Sequence, residues 1–345
     1  MKTSIRGKLM SRGIKVPVRE AEKVKKELLS SGVFDRGKKV KRRGGVVIFP
    51  VRKVPNLGYE VVEEEFEELR RIKFQDYLRE FLSEKQLENV RHSFDVIGSI
   101  AIIEVPENLV HYEKKIAESL AKAHKNIKDV FKKTSAVKGR ERTRELVHLW
   151  GGASTVTQHR EHGCNYRLDV ARVYFSPHLA YERQRILKQV KNSEVIVDLF
   201  AGVGPFSILI AKYRAVKIYA IDANPTAYEY LKENILLNRV VGNVSPLLGN
   251  CREVAPRRIA DRVIMNLPKS SDEYLDLAFD VMKKGVVHFY SISPEDDLYD
   301  SKIIFIQEVA EKKNRKVRVI NKRMMRSYSP YNYHVVIDIQ VEDFK

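Results

Sequence analysis

Apolar positions along the chain fall into two regimes, an irregular first half and a regular second half. In RGIKVPVREAEKVKKELLSSGVF (residues 12–34), Val18, Ala21, Val24, Leu28 and Leu29 recur at helical spacing and Ser31-Gly32 supplies a stop. GGVVIFPV (44–51) is a short apolar run of strand length. Residues 12–60 therefore read as a small α/β unit. SFDVIGSIAIIEVP (93–106) predicts a strand pair interrupted at Gly98, residues 109–124 predict an amphipathic helix, and short strands are expected near 145–150, 154–159 and 166–174. From about residue 176 the pattern becomes regular. VIVDLFAGVGPFSILIAKY (195–213) and VKIYAIDANPTAYEYLKENILLN (216–238) each read strand, turn, helix. VSPLLGNCREV is a strand with a short tail, DRVIMNLP a strand ending in a turn, and YLDLAFDVMKKGVVHFYSIS a helix then a strand. Such alternation indicates a parallel, doubly wound sheet. VRVINKRMMRSYSPYNYHVVIDIQV (317–341) reads as two strands joined by a turn, which suits an antiparallel hairpin on the edge of that sheet.

Charge changes this picture in two places. A basic run, Arg36, Lys38, Lys39, Lys41, Arg42 and Arg43, separates two ordered stretches and reads equally as a solvated loop or a phosphate contact. Residues 60–71 switch from acidic (Glu60, Glu63, Glu64, Glu65, Glu67, Glu68) to basic (Arg70, Arg71), as a linker or domain edge would. The expected domains are 1–65, 72–165 and 166–345. In the whole chain of 345 residues, 63 Lys and Arg stand against 45 Asp and Glu, a net charge of +18. An imbalance of that size points to a polyanionic partner, nucleic acid above all. The two cysteines, Cys164 and Cys251, form no CxxC pair, so neither a zinc ribbon nor a redox pair is indicated and a reducing cytoplasm is the expected location. The start lacks the apolar stretch of a signal peptide and no apolar run is long enough to span a membrane, so no membrane association is expected.

The chemistry concentrates where the first regular strand ends, at Asp198-Leu199-Phe200-Ala201-Gly202-Val203-Gly204. Ligands of open α/β sheets bind at the carboxyl ends of strands near the topological switch point. A dinucleotide fingerprint needs a third glycine; Ser207 occupies that place, which weakens a nicotinamide reading. Asp222 closes the next strand, where a carboxylate can accept from both ribose hydroxyls. Asn266-Leu267-Pro268-Lys269 closes the fourth strand, in a position where many base-modifying methyltransferases carry Asn/Asp-Pro-Pro-aromatic. Leu267 and Lys269 depart from that pattern and argue against methylation of an adenine amino group.

Together these features resemble the class I, Rossmann-like S-adenosylmethionine methyltransferase fold. Four further stretches sharpen the resemblance: Arg142-Thr143-Arg144-Glu145-Leu146; His159-Arg160-Glu161-His162-Gly163-Cys164; Val173-Tyr174-Phe175-Ser176-Pro177 with Glu182-Arg183; and Tyr328-Ser329-Pro330 with Tyr333-His334. With Asn266-Leu267-Pro268-Lys269, they look like the archaeal and eukaryotic tRNA (guanine-37-N1)-methyltransferase family, whose relatives act in wyosine biosynthesis. His162 stands where that family more often has Asn, and Asn250 where Asp is common. The resemblance implies a catalytic domain preceded by two smaller α/β RNA-recognition domains. It also implies a tRNA partner gripped at its outer corner and anticodon stem-loop, and methyl transfer to N1 of guanosine 37. A monomer is expected. The resemblance places S-adenosylmethionine against Phe175, Asp198, Phe200, Ala201, Gly202, Gly204, Asp222, Ala223, Asn250, Cys251 and Asn266. Mg2+ dependence is a family expectation with no visible ligand motif here.

Guanine N1 must lose a proton before it can accept a methyl group, and a carboxylate within hydrogen-bond reach is a suitable base. Negative charge then builds on O6, where a guanidinium can stabilise it. The family pattern puts the base at Glu182 and the arginine at Arg142 or Arg144, with Arg142 preferred. Asn266 would orient the base edge and Pro268 would shape the pocket. Tyr174, Phe175 and Tyr181 are mostly core candidates, one or two of which could stack on adenine or on an extruded base. His159 and His162 flank Glu161 without matching a metal-ligand spacing. Two other functions compete: a wyosine-pathway transferase acting on the same nucleotide by carbon methylation or aminocarboxypropyl transfer, and a non-catalytic tRNA-binding protein.

Overall fold

A computed structural model of the chain describes residues 10–68, 73–91, 93–134 and 145–342. The chain divides into two compact units, 1–81 and 82–345.

The first unit is built on strands β1 (Met10–Pro17), β2 (Lys41–Arg43), β3 (Val46–Pro50) and β4 (Glu60–Glu65), in the order β2-β3-β1-β4. Helix α1 (Ala21–Ser30) packs Val24 and Leu28 against Ile14, Val16, Val47 and Phe49. It begins later than the apolar pattern suggested, because Val18 lies in a preceding 3-10 turn and is exposed; Gly32, with φ +70°, ends it as expected. The acidic run is not a linker. Its residues 60–65 form β4, an edge strand paired antiparallel with β1. Its charges meet the basic run: Lys39 pairs with Glu67 and Lys41 with Glu64, both at 2.6 Å, while Lys38 pairs with Asp35 at 3.4 Å. Lys38, Lys39 and Lys41 of the basic run thus have carboxylate partners among the described residues of their own unit. A short helix, α2 (Phe74–Leu78), also lies in this unit.

The second unit begins with α3 (Glu84–Asn89) and a four-stranded sheet, β5 (Asp95–Ile97), β6 (Ile100–Ile103), β7 (Asp129–Lys133) and β8 (Leu146–Gly151), in sequential order. Gly98, with φ +59°, turns β5 into β6. Helix α4 (Glu113–Ala123) carries the crossover between the parallel strands β6 and β7; the first residues of the expected helix form a 3-10 turn, Glu107–Tyr112. Next comes the hairpin β9 (Val156–Glu161) and β10 (Cys164–Asp169). The domain boundary expected at 165/166 falls inside β10.

A seven-stranded sheet completes the unit: β11 (Val195–Asp198), β12 (Lys217–Asp222), β13 (Val244–Leu248), β14 (Ala260–Met265), β15 (Met282–Pro294), β16 (Val317–Ser329) and β17 (Asn332–Val341). The order is β13-β12-β11-β14-β15-β17-β16. β11 to β15 are parallel, β17 is antiparallel to β15, and β16 is the antiparallel edge. Helices α5 (Ala180–Gln189), α6 (Pro205–Tyr213), α7 (Pro225–Leu237), α8 (Cys251–Val254), α9 (Leu275–Val281) and α10 (Asp300–Lys312) flank it. Successive strand residues point to opposite faces, and two cores result. Ile196, Ile264 and Val336 pack with α5, α6 and α7, while Val197, Val263 and Ile337 pack with α9 and α10. The hairpin β9–β10 is tied to α7 by side-chain amides: Asn234 and Asn238 each accept from and donate to the β10 backbone, at Arg167 and Asn165. Strand order reverses between β11 and β14, so the ligand crevice is expected at their carboxyl ends. Among the described residues no helix is long and apolar enough to cross a membrane.

Candidate active site

The turn after β11 holds two glycines with different tasks. Gly204, at φ +87°, caps α6 with Pro205 at its first position; a Cβ on it would come within 2.5 Å of Leu231 and 2.8 Å of Ile208. Its role is close packing of α6 and α7. Gly202, at φ +55°, has only the Tyr174 carbonyl oxygen within 4 Å of such a Cβ, at 3.7 Å, and its N–H donates to Asp222 Oδ2 at 2.7 Å. Asp222 Oδ1 accepts from the Asn224 N–H at 2.9 Å, and Asn224 in turn caps α7. Asp222 is thus held rigidly with its carboxylate on the cavity.

That cavity has a volume of about 380 Å³ and opens at the carboxyl ends of β11, β12 and β14. Phe175, Phe200, Ala201, Gly202, Asp222, Ala223, Asn250, Cys251 and Asn266, all expected at the cofactor, line it together. Asp198 and Gly204 stand behind the wall. Burial pushes the Asp198 carboxyl up to about 7, against hydrogen bonds from Ser207 and the Phe200 backbone, with the Asp222 charge adding to the rise. With Ser207 Oγ donating to it at 2.8 Å, Asp198 works as a strut between β11 and α6. Asn250 spends its oxygen on capping α8, accepting from the Arg252 N–H at 3.1 Å. Burial pushes the Cys251 thiol up to about 11, so it is an apolar wall.

Several lining residues were not anticipated from sequence. Arg183, 1% exposed, donates Nε and Nη2 to Glu161 at 2.7 and 2.6 Å and Nη2 to the Ser176 carbonyl, with its guanidinium over the Phe175 ring. Burial alone would raise the Glu161 carboxyl; hydrogen bonds from His159 and Arg183 outweigh it and hold the group down at about 2. The His159–Glu161–His162 stretch therefore anchors a buried arginine. His162 takes φ +47° in the β9–β10 turn and meets the Ala180 carbonyl at 3.0 Å, and His159 Nδ1 accepts from the Gly98 N–H at 3.1 Å. Among the described residues no cluster of three or more His, Cys, Asp or Glu side chains is placed to hold a metal ion. Glu273 and Tyr274, beyond the Asn266–Lys269 turn, also reach the cavity, with Tyr274 packed edge-on against Phe200. Nothing in their spacing marked them.

The residues expected to carry the chemistry are dispersed. Asn266 lines the cavity; Pro268 is buried behind the turn, and its neighbours Leu267 and Lys269 form the wall. Ser271 Oγ braces that turn on the carbonyls of Met265 and Leu267. Glu182 is not on the surface of α5 but 3% exposed, and is not among the lining residues. Its Oε1 accepts from the Tyr290 hydroxyl at 2.7 Å, and Arg185 donates to both of its oxygens, at 2.7 and 2.8 Å. Arg185 also binds Asp338, which accepts from His288. Phe206, on the cavity wall, packs against Tyr290, so Glu182 lies one layer behind that wall. Arg142 and Arg144 lie outside the described residues.

The tRNA (guanine(37)-N(1))-methyltransferase Trm5b of Pyrococcus abyssi is 45% identical over 341 residues, covering 96% of this chain and 99% of that protein. The chain belongs to the TRM5/TYW2 methyltransferase family. Family models divide it consistently: the TRM5/TYW2 methyltransferase domain matches residues 157–320, the TYW2 N-terminal domain 74–155, and the tRNA methyltransferase 5 N-terminal domain 13–59. The crystal structure of the Pyrococcus abyssi protein superposes with a TM-score of 0.73 over 96% of this chain and all of that one. A complex of aTrm5 with tRNALeu is similar at 35% identity, covering 96% of this chain and 99% of that one, with a TM-score of 0.71. M. jannaschii TYW2 in complex with AdoMet is 32% identical, covering 73% of this chain and 100% of that one, with a TM-score of 0.59. Membership identifies the seven-stranded domain as that of an S-adenosylmethionine-dependent methyltransferase.

Proposed function

We propose that this chain transfers the methyl group of S-adenosylmethionine to N1 of guanosine 37 in tRNA. The observation that carries the reading is the Asn266-Leu267-Pro268-Lys269 turn standing across one cavity from Gly202 and Asp222, in a chain 45% identical to a tRNA (guanine(37)-N(1))-methyltransferase. The cavity suits the cofactor. Its volume lies in the range of small-molecule sites, roughly 300–1,000 Å³. Asp222 turns its carboxylate to the cavity where ribose hydroxyls would lie, Gly202 presents no side chain, and Phe175, Phe200 and Cys251 offer apolar surface. Asp222, Gly202 and Asn250 would hold the nucleoside part, and Asn266 would face the incoming base.

When bound, the sulfonium supplies an electrophilic methyl group with a neutral leaving group. The chain's own residues then orient guanine and take its proton. Asn266 offers both an amide donor and a carbonyl acceptor to the base edge. Glu182 accepts the N1 proton after its carboxylate leaves the bonds to Arg185 and Tyr290, a rearrangement that entry of the base would drive. Arg142, or Arg144, stabilises the charge that gathers on O6. The N-terminal unit would grip the outer corner of the tRNA and the second unit the anticodon stem-loop. Phosphate contacts by a chain of net charge +18 make this binding steeply salt-dependent.

The test uses two labelled forms of the cofactor with an unmodified tRNA transcript, one labelled in the methyl group and one in the aminocarboxypropyl group. Transfer of the methyl label alone, recovered as 1-methylguanosine, is expected. Transfer of the other label, or recovery of a different nucleoside, would overturn the reading.

A further inference from the structure

The edge strand β16 and its turn lie outside the residues that hold the cofactor and the reacting base. Residues 312–337 contain no Asp or Glu, while β16 alone carries Arg318, Lys322, Arg323 and Arg326. The acidic 3-10 turn Glu295–Asp297 lies against the β16–β17 turn, where Glu295 accepts from the Tyr333 hydroxyl and its N–H donates to the Tyr331 carbonyl. The β16–β17 turn lies at the same end of the sheet as the cavity, because Asn332 pairs with Pro294 at the carboxyl end of parallel strand β15. The start of α5 lies at that end too, since α5 runs down to the amino end of β11.

Two cation–aromatic pairs fasten the strip to the elements around the cavity. Arg323 lies 4.8 Å from the ring centre of Tyr181 on α5, and Lys269, from the turn after β14, lies 5.5 Å from that of Tyr328. Tyr181 is nonetheless 63% exposed and Tyr328 44%. The pairing of β16 with β17 passes over Ile320, Met325 and Tyr328. A residue left out of the ladder in this way has its side chain re-aimed, a common device beside functional sites. Arg323 pairs with Val336, and Tyr328 falls between the partners of Tyr333 and Asn332, so the two are separated by roughly 10–13 Å along the strand.

We infer that Tyr181, Arg323 and Tyr328 form a track for a single-stranded RNA segment, the nucleotides next to the one in the cavity. The inference rests on the proposed RNA substrate. Unpaired nucleotides expose both a base face and a phosphate, and aromatic rings interleaved with cations satisfy both, without reading sequence. A tyrosine covered on one face by a cation offers the other to a base, while the cation remains within reach of the adjoining phosphate.

The full chain is titrated with an unmodified tRNA transcript at several salt concentrations, alongside S-adenosylmethionine titrations of the same proteins. The Tyr181→Ala/Tyr328→Ala double variant is expected to bind tRNA about thirtyfold more weakly or worse, the scale of losing two stacked bases. Its salt slope and cofactor affinity should stay at wild-type values. Arg323→Ala should instead lower the salt slope by about one, and Tyr181→Phe/Tyr328→Phe should restore binding by restoring the rings. Wild-type tRNA affinity in the double alanine variant overturns the track, as does failure of the phenylalanine pair to rescue. If the unaltered chain binds no tRNA, the proposed function falls and the track with it.

Discussion

Tyr290, in the middle of β15, donates its hydroxyl to Glu182 of α5 at 2.7 Å, joining residues 108 positions apart beneath the wall of the cavity. Burial and the neighbouring carboxylate both push the tyrosine's own ionisation far up, so the hydroxyl stays a donor at any pH of interest. With Arg185 of the same helix on both of its oxygens, Glu182 is held in one orientation between α5 and the sheet.

Replacing Glu182 by Gln should slow single-turnover methyl transfer about a hundredfold or more, the scale of losing a general base. Glu273 is the control, being an exposed carboxylate on the cavity wall. Glu273→Gln should stay within a few-fold of the unaltered chain. A rate loss in Glu273→Gln with none in Glu182→Gln would move the role of base to Glu273.

The pair Arg183–Glu161 should be one of two main sources of acid sensitivity, beside Asp338, whose carboxyl is held well down, against burial, by bonds from His288 and Arg185. Glu161 is held at about 2, below its ordinary 4.5. A depressed carboxyl contributes stability that is complete above the unfolded-state value and is lost as pH falls through the folded-state value. The window is therefore about pH 4.5 down to about pH 2, worth about 3 kcal/mol. Glu161→Gln should lose its share of the acid limb in urea titrations, while the share carried by Asp338 remains. It should also be less stable at neutral pH by about 3–5 kcal/mol, since it strands a buried guanidinium.

Asp198 should act in the opposite sense. Its carboxyl is raised to about 7 from an ordinary 3.8. Its contribution is complete below about pH 4 and is lost as pH rises through about 7. Asp198→Asn should flatten that decline in thermal unfolding measured between pH 4 and pH 8; an unchanged slope would contradict the assignment.

The two glycines should separate packing from binding. Gly204→Ala places a methyl against Leu231 and Ile208 at a left-handed φ and should cost about 2–4 kcal/mol of stability. Gly202→Ala meets no such neighbour and should cost about 1–2 kcal/mol, while weakening S-adenosylmethionine binding in a direct titration. Equal stability losses in the two variants would contradict the division of roles.

Much of this was legible along the chain. The alternation over 195–293 specified the parallel sheet, and the glycine turn, Asp222 and Asn266 marked the cavity because strand ends and their short turns leave local signatures. Three things were not legible. Helix α10 (Asp300–Lys312) has its apolar positions spread among charges, and only Ile306 and Ala310 are fully buried. The stretch 60–71 reads as a linker or domain edge by composition, yet Glu60 and Glu64 face lysines on strands distant in sequence. Arg183 and Glu182 are neighbours on a charged helix segment that looks solvated, and only tertiary packing buries one with Glu161 and the other with Arg185 and Tyr290.

The most direct test of the account compares two tRNA transcripts identical except at position 37, guanosine in one and adenosine in the other, each with methyl-labelled S-adenosylmethionine under single-turnover conditions. Label is expected only in the guanosine transcript. Label in both transcripts, or in neither while the chain binds both tRNA and cofactor, would contradict it.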